Sequence, residues 1–376
     1  MKITRIQTIQ APEWPHILWV LVHTDEGLVG LGETYKDAHA IRALLVDEFG
    51  PRFLLGRDPF AIESIWRTLF EWGHFAGWAG AEMRAMSALD IALWDLLGQK
   101  TGQPIWRLLG GRVAERIPVY NTCGNLGDLD FMVNADQFAR HLLDAGITGM
   151  KIWPFDEWGR KTNGQYIHPA DLAKAMEPVR KIRAAVGSAM DLAMEFHGYW
   201  SLNAAVQIAH ALEEYEVMWL EDMMKTFSPE AFAALARSTR LPVALSERLL
   251  ARHQFLPFLQ AGSMRVVIFD VEWCGGITEA KKIASLADVY QLPVALHNYG
   301  GPVLNFASGH VAASIPNLMI MEVGVNLLAL YTERYVTCPA RVDKGAYVLT
   351  ETPGLGTALS EELLRRKDLI RGDTKR

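Results

Sequence analysis

Seven ionisable residues in the last two thirds of the chain have types and spacing that allow joint chemistry. They are Lys151, Glu195, Glu221, Glu247, Asp270, His297 and Glu322, each closing a short apolar run. From Glu195 onward they recur at intervals of 23 to 27 residues. A strand of ~5 residues, a helix of ~11 and two short loops need about that many, so each βα unit would deliver one such group to the same face. Glu195, Glu221 and Glu247 would converge from three consecutive strands. Three carboxylates that close stay ionised only with a cation between them. An all-oxygen set suits Mg2+, with Mn2+ the next choice, and holds no imidazole or thiolate to favour zinc. For any one of these glutamates alone, a solvated loop position or a pairing with Arg248 is the plainer alternative.

Asp270 and His297 follow on the next two strands. A carboxylate bonded to an imidazole orients the ring and raises its basicity, which makes His297 a candidate proton acceptor. Glu322 is placed to hydrogen-bond a substrate oxygen or an intermediate. Lys151, in "GMKIW", would offset the negative cluster, position a carboxylate, or act as a base if its pKa is depressed; a salt bridge within the barrel mouth is the structural alternative. The stretch "AMEFHGYW" adds His197 two residues after Glu195, on the same side if the strand runs that far. Burying such a pair is costly unless the two satisfy each other or a third group sits between them.

The elements that must position these residues are legible from the patterning. "ILWVLVHTDEGLVGLGET" reads as two strands around the turn Asp25-Glu26-Gly27. From Ala40 to Leu109 the period is helical, and the longest stretch, "MRAMSALDIALWDLLGQKTG", ends at Gly102 and Pro104. Beyond Val119, β-type runs alternate with helical ones, which argues for a parallel sheet and, with this many units, a closed barrel bearing its chemistry at the C-terminal ends of the strands.

The chain has 376 residues, net charge −6 and no lysine or arginine run able to track a phosphate backbone, which argues against nucleic acid as a partner. The N-terminus has no signal-peptide pattern and no segment is apolar enough to span a membrane. Three widely spaced cysteines fit neither disulfides nor zinc, as expected of a cytoplasmic protein. The tryptophan-rich "WGHFAGWAG" suggests a buried contact and a homo-oligomer.

These residues carry a resemblance to the enolase superfamily, in its mandelate racemase/muconate-lactonizing branch. It rests on "AMSALDIALWDLLGQKTGQPIWRLLGG", "WLED", "LSER", "FDVEWCGGITEAKKIA", "ALHNYGG" and "TPGLG". The resemblance implies an α/β fold: a modified (β/α)7β barrel at 116–335 under an α+β capping domain at 1–115, to which 336–376 return. It further implies magnesium on Glu195, Glu221 and Glu247, a His297–Asp270 dyad, and abstraction of a proton α to a carboxylate to give an enediolate. Two departures stand out. The first metal ligand is usually aspartate and here is Glu195. The second lysine of a Lys-x-Lys motif, a base in the family's racemases, is replaced by Trp153. His197 is shared with sugar-acid dehydratases of the galactonate type, where it would be the general acid for loss of a β-hydroxyl. The expected function is therefore dehydration of an acid sugar to a 2-keto-3-deoxy acid. The alternatives are an epimerase with two histidine bases and a barrel used only for binding. Trp14, His16, Tyr35 and Lys36 of the capping loops, with Trp153, are the candidate substrate contacts.

Overall fold

The computed structural model describes residues 1–77 and 79–374. Strands β1 (Ile3–Gln10), β2 (Ile17–Thr24) and β3 (Val29–Tyr35) form an antiparallel sheet, and the late strand Ile370–Asp373 pairs with β1. The turn between β2 and β3 is closed by Thr24, whose amide and hydroxyl both donate to the Leu28 carbonyl across Asp25-Glu26-Gly27. Helix Ala81–Thr101 lies against β3 so closely that only glycine fits opposite it. A Cβ at Gly30 or Gly32 would sit 2.2 or 1.9 Å from the carbonyl oxygens of Ala92 or Ala88.

Eight parallel strands follow: β4 (Ile117–Thr122), β5 (Gly149–Ile152), β6 (Asp191–Glu195), β7 (Trp219–Glu221), β8 (Val243–Leu245), β9 (Val266–Asp270), β10 (Val294–His297) and β11 (Leu318–Val323). They pair in chain order and β11 closes on β4, the expected barrel. Their near-continuous apolar runs, such as "VVIFD" in β9, belong to strands buried on both faces. Tyr120, Trp219, Ile268 and small residues such as Ala193, Ala244 and Ala295 fill the interior, so the barrel is a plugged floor and not a pore.

The capping sheet is bolted to the barrel through buried carboxylates of the long helix. Asp95 accepts the amides of Leu31 and Leu355, and Asp90 accepts the amide of Thr278. The "TPGLG" segment thereby contacts the long helix through Leu355. In the stretch "WGHFAGWAG", Trp72 packs edge-on against Phe49 at 5.4 Å while Phe75 is 96% exposed; Trp78 lies outside the described residues. Among the described residues no helix is long and apolar enough to cross a membrane.

A candidate active site and metal centre at the barrel mouth

Strand register brings the ionisable residues together. Glu195 pairs with Glu221 across β6 and β7, and Asp270 with His297 across β9 and β10. Glu247 lies two residues beyond the end of β8, in the loop. Oxygens of Glu195, Glu221 and Glu247 lie within 4.8 Å of one another, and all three residues are buried.

The expectation that β6 continues to His197 is not met. The strand stops at Glu195, and His197 adopts a left-handed backbone with φ 50°. That turn folds the chain back, so the amides of Phe196 and His197 both donate to Glu195 Oε1, at 3.0 and 2.6 Å. The two side chains do not pair with each other. Glu195 Oε2 has no hydrogen-bond partner, while the His197 ring donates from Nδ1 to Asp156 at 2.8 Å.

Lys151 Nζ lies 2.9 Å from Glu221, 3.1 Å from Glu322 and 3.7 Å from Glu195. Burial pulls its pKa down, but the charges of Glu221, Glu322 and Glu195 outweigh burial and hold it well above the ordinary lysine value. As an ammonium it offsets the charge of the cluster. Burial and the neighbouring Glu247 push Glu195 up to about 8 against the pull of Lys151. One lysine is thus too little cation for this set. The unpartnered, buried Glu195 oxygen facing two further carboxylates fits a divalent ion with oxygen preference, and the longer Glu195 side chain does not prevent it.

His297 donates from Nδ1 to Asp270 at 2.6 Å, and its Nε2 lies 3.2 Å from Glu247 and 3.7 Å from Glu322. Burial lowers its pKa, yet these three carboxylates prevail and raise it to about 10. Glu322 also accepts the Thr122 hydroxyl and the Asn298 amide. A cavity of about 240 Å³ opens above this floor. Tyr35, Lys36 and Trp153 line it, together with His197, His297 and Glu322. Trp14 and His16 do not: they line a neighbouring chamber of about 250 Å³ that meets the first at Tyr35 and Tyr299.

Several lining residues escaped the sequence reading. Asp156, which holds His197, opens the short helix Asp156–Thr162 after β5, on the same barrel face as Lys151, so the strand-end rule carried past the β5 loop would have reached it. Thr122 ends β4 at matching depth. Trp273, 5.1 Å from the His297 ring, and Tyr299 carry no ionisable signal at neutral pH and only the fold reveals them.

Comparison with known families bears directly on this arrangement. Residues 8–110 match the mandelate racemase/muconate lactonizing enzyme N-terminal domain, and residues 134–363 match the enolase C-terminal domain-like family. The chain belongs to the mandelate racemase/muconate lactonizing enzyme family of the enolase superfamily. A D-galactonate dehydratase of Verminephrobacter eiseniae is 32% identical over 374 residues, covering 97% of this chain and 94% of that protein. Another, of Ralstonia nicotianae, is 31% identical over 376 residues, with the same coverage of both. An enolase of the mandelate racemase subgroup from Agrobacterium tumefaciens superposes with a TM-score of 0.91 at 40% identity, covering 100% of this chain and 99% of its own.

Proposed function

We propose that this chain is a magnesium-dependent hydro-lyase that removes water from an acid sugar, an aldonate or aldarate, to give a 2-keto-3-deoxy acid. One observation carries this reading. His197 and His297 each hold an aspartate on Nδ1; His197 lies two residues past the end of β6 and His297 ends β10, strands four places apart in a ring of eight. They therefore face the cavity from opposite walls, as removal of one proton and delivery of another require.

With its Nδ1–H committed to Asp270, and with magnesium on Glu247 offsetting part of the carboxylate charge that raises its pKa, His297 would present an unprotonated Nε2 to accept the proton from the carbon next to the substrate carboxylate. The electron pair of that C–H bond forms the new double bond as the neighbouring C–O bond breaks. His197, held by Asp156, gives its Nε2 proton to the departing hydroxyl, which leaves as water. The remaining enol tautomerises to the 2-keto acid. Magnesium held by Glu195, Glu221 and Glu247 would supply positive charge against the charge that develops on the substrate carboxylate. Lys151 keeps Glu221 and Glu322 in place. The relatives named as D-galactonate dehydratases support this reaction class.

The two-histidine wall also fits an epimerase in which both rings act as bases, and one pair of variants separates the readings. In deuterium oxide, H297N is expected to lose both α-proton exchange and product, while H197N keeps exchange and loses product. Deuterium entering both configurations at the α-carbon of the unaltered enzyme, with no keto acid formed, would establish the epimerase instead.

A further inference from the structure

The cations around the cavity are not equally occupied. Lys151 is committed to three carboxylates and Arg248 lies 3.5 Å from Asp222. Lys36 also lines the cavity, and among the described residues no carboxylate lies within ion-pair distance of it. Its ammonium stands over the rings of Tyr35 and Trp273, 5.6 and 5.7 Å from their centroids.

The lysine is placed there by its surroundings. The Lys36 amide donates to the His16 carbonyl at 2.7 Å, and the preceding Tyr35 carbonyl accepts from Arg84. The Arg84 guanidinium itself lies 4.0 Å from the Trp273 centroid. Lys36 and Asp37 both adopt left-handed backbone conformations, with φ 67° and 56°, which turns the chain toward the mouth at the end of β3.

Trp273 is the link to the reacting end. Its ring lies 5.1 Å from that of His297, so two steps of 5.7 and 5.1 Å separate the Lys36 ammonium from the histidine. An extended six-carbon acid spans about 6 Å between its end carbons at ordinary single-bond lengths. Such an acid, with its α-carbon at His297 and its chain running along Trp273, would be long enough to reach the part of the cavity that Lys36 lines.

We infer that Lys36 receives a second carboxylate at the far end of the substrate, which makes the preferred substrate an aldarate rather than an aldonate. This rests on the acid-sugar reading above and sharpens it. A terminal carboxylate gives the ammonium a charged acceptor as the cavity closes around the substrate, whereas a terminal hydroxymethyl leaves it with a neutral one.

The test compares acids of one configuration that differ only at the last carbon, galactonate with galactarate and gluconate with glucarate, in the presence of magnesium. The expected kcat/KM favours the aldarate of a turned-over pair by at least tenfold. K36M lowers that ratio at least tenfold and K36R largely restores it. In parallel, calorimetry with unreactive adipate and 6-hydroxyhexanoate reads the same preference without turnover. Adipate is expected to bind more tightly, and K36M to erase the difference. Turnover of aldonates with a preference that K36M does not change overturns this inference and leaves the dehydratase reading intact. Absence of turnover for every acid, with Lys36-dependent adipate binding retained, does the reverse.

Discussion

The Asp156 carboxylate accepts a 2.8 Å hydrogen bond from Nδ1 of His197, the same attachment that Asp270 makes to His297 at 2.6 Å on the opposite wall. Each imidazole is therefore held by Nδ1 with Nε2 on the opposite edge of the ring, and that of His297 also lies 3.2 Å from Glu247. Asp156 reaches its histidine from the first turn of the helix after β5, which is why no local motif announces the pair.

Removal of that attachment is expected to slow the acid step selectively. D156N should lower the rate of keto-acid formation by about 10²-fold, within the range that a positioned acid contributes. Exchange of the α-proton with deuterium oxide should fall much less. Equal losses in both assays would mean that Asp156 supports the site as a whole and does not serve His197.

Lys151 is expected to matter first to folding. It is buried against Glu221, Glu322 and Glu195, and K151M would leave Glu221 and Glu195 with no cation within ion-pair distance among the described residues. Breaking a buried ion set by removing one partner typically costs about 3–5 kcal/mol. Denaturant unfolding of metal-free protein should show a loss of that order, and an unchanged midpoint would contradict the charge-offsetting role.

Magnesium should stabilise the fold through the three glutamates. Binding at a hundred times Kd contributes about 2.7 kcal/mol, which a thermal melt resolves readily. The unaltered protein should melt higher with millimolar magnesium and lose that increment in chelator, whereas E221Q should show little increment at all. Equal increments in both proteins would place the ion elsewhere.

A separate pH dependence follows from His310, which is fully buried on helix Pro302–Ser314. It accepts the Trp106 amide at Nδ1 and donates from Nε2 to the Leu355 carbonyl, at 3.3 and 3.0 Å. That arrangement requires the neutral ring, and burial lowers its pKa from 6.5 to about 4. Because the folded value lies below the unfolded one, the stabilisation is complete above pH 6.5 and disappears as pH falls toward 4. A shift of this size corresponds to on the order of 3 kcal/mol. Unfolding free energies between pH 7 and 4 should fall in the unaltered protein and change less in H310Q.

The barrel was legible because its strands are apolar runs of regular spacing with an ionisable residue at or near the end of most of them, and because register follows from parallel pairing. Glu195, Glu221, Asp270 and His297 fall at strand ends for that reason. His197 shows where the rule stops. Its left-handed φ lets its amide grip Glu195 while its ring turns to Asp156, and no period-two pattern encodes such a turn. Trp14 illustrates a second limit. It lies in a capping loop as expected, but it packs 5.2 Å from Tyr331 and lines the neighbouring chamber, because side-chain direction in a loop depends on tertiary contacts.

The most direct test of the dehydratase reading is proton NMR of the purified protein with magnesium and a panel of aldonic and aldaric acids in deuterium oxide. The expected result is a 2-keto-3-deoxy acid from at least one member, with none formed by H297N. Full recovery of every acid without loss of water, whether or not deuterium enters at the α-carbon, would contradict it.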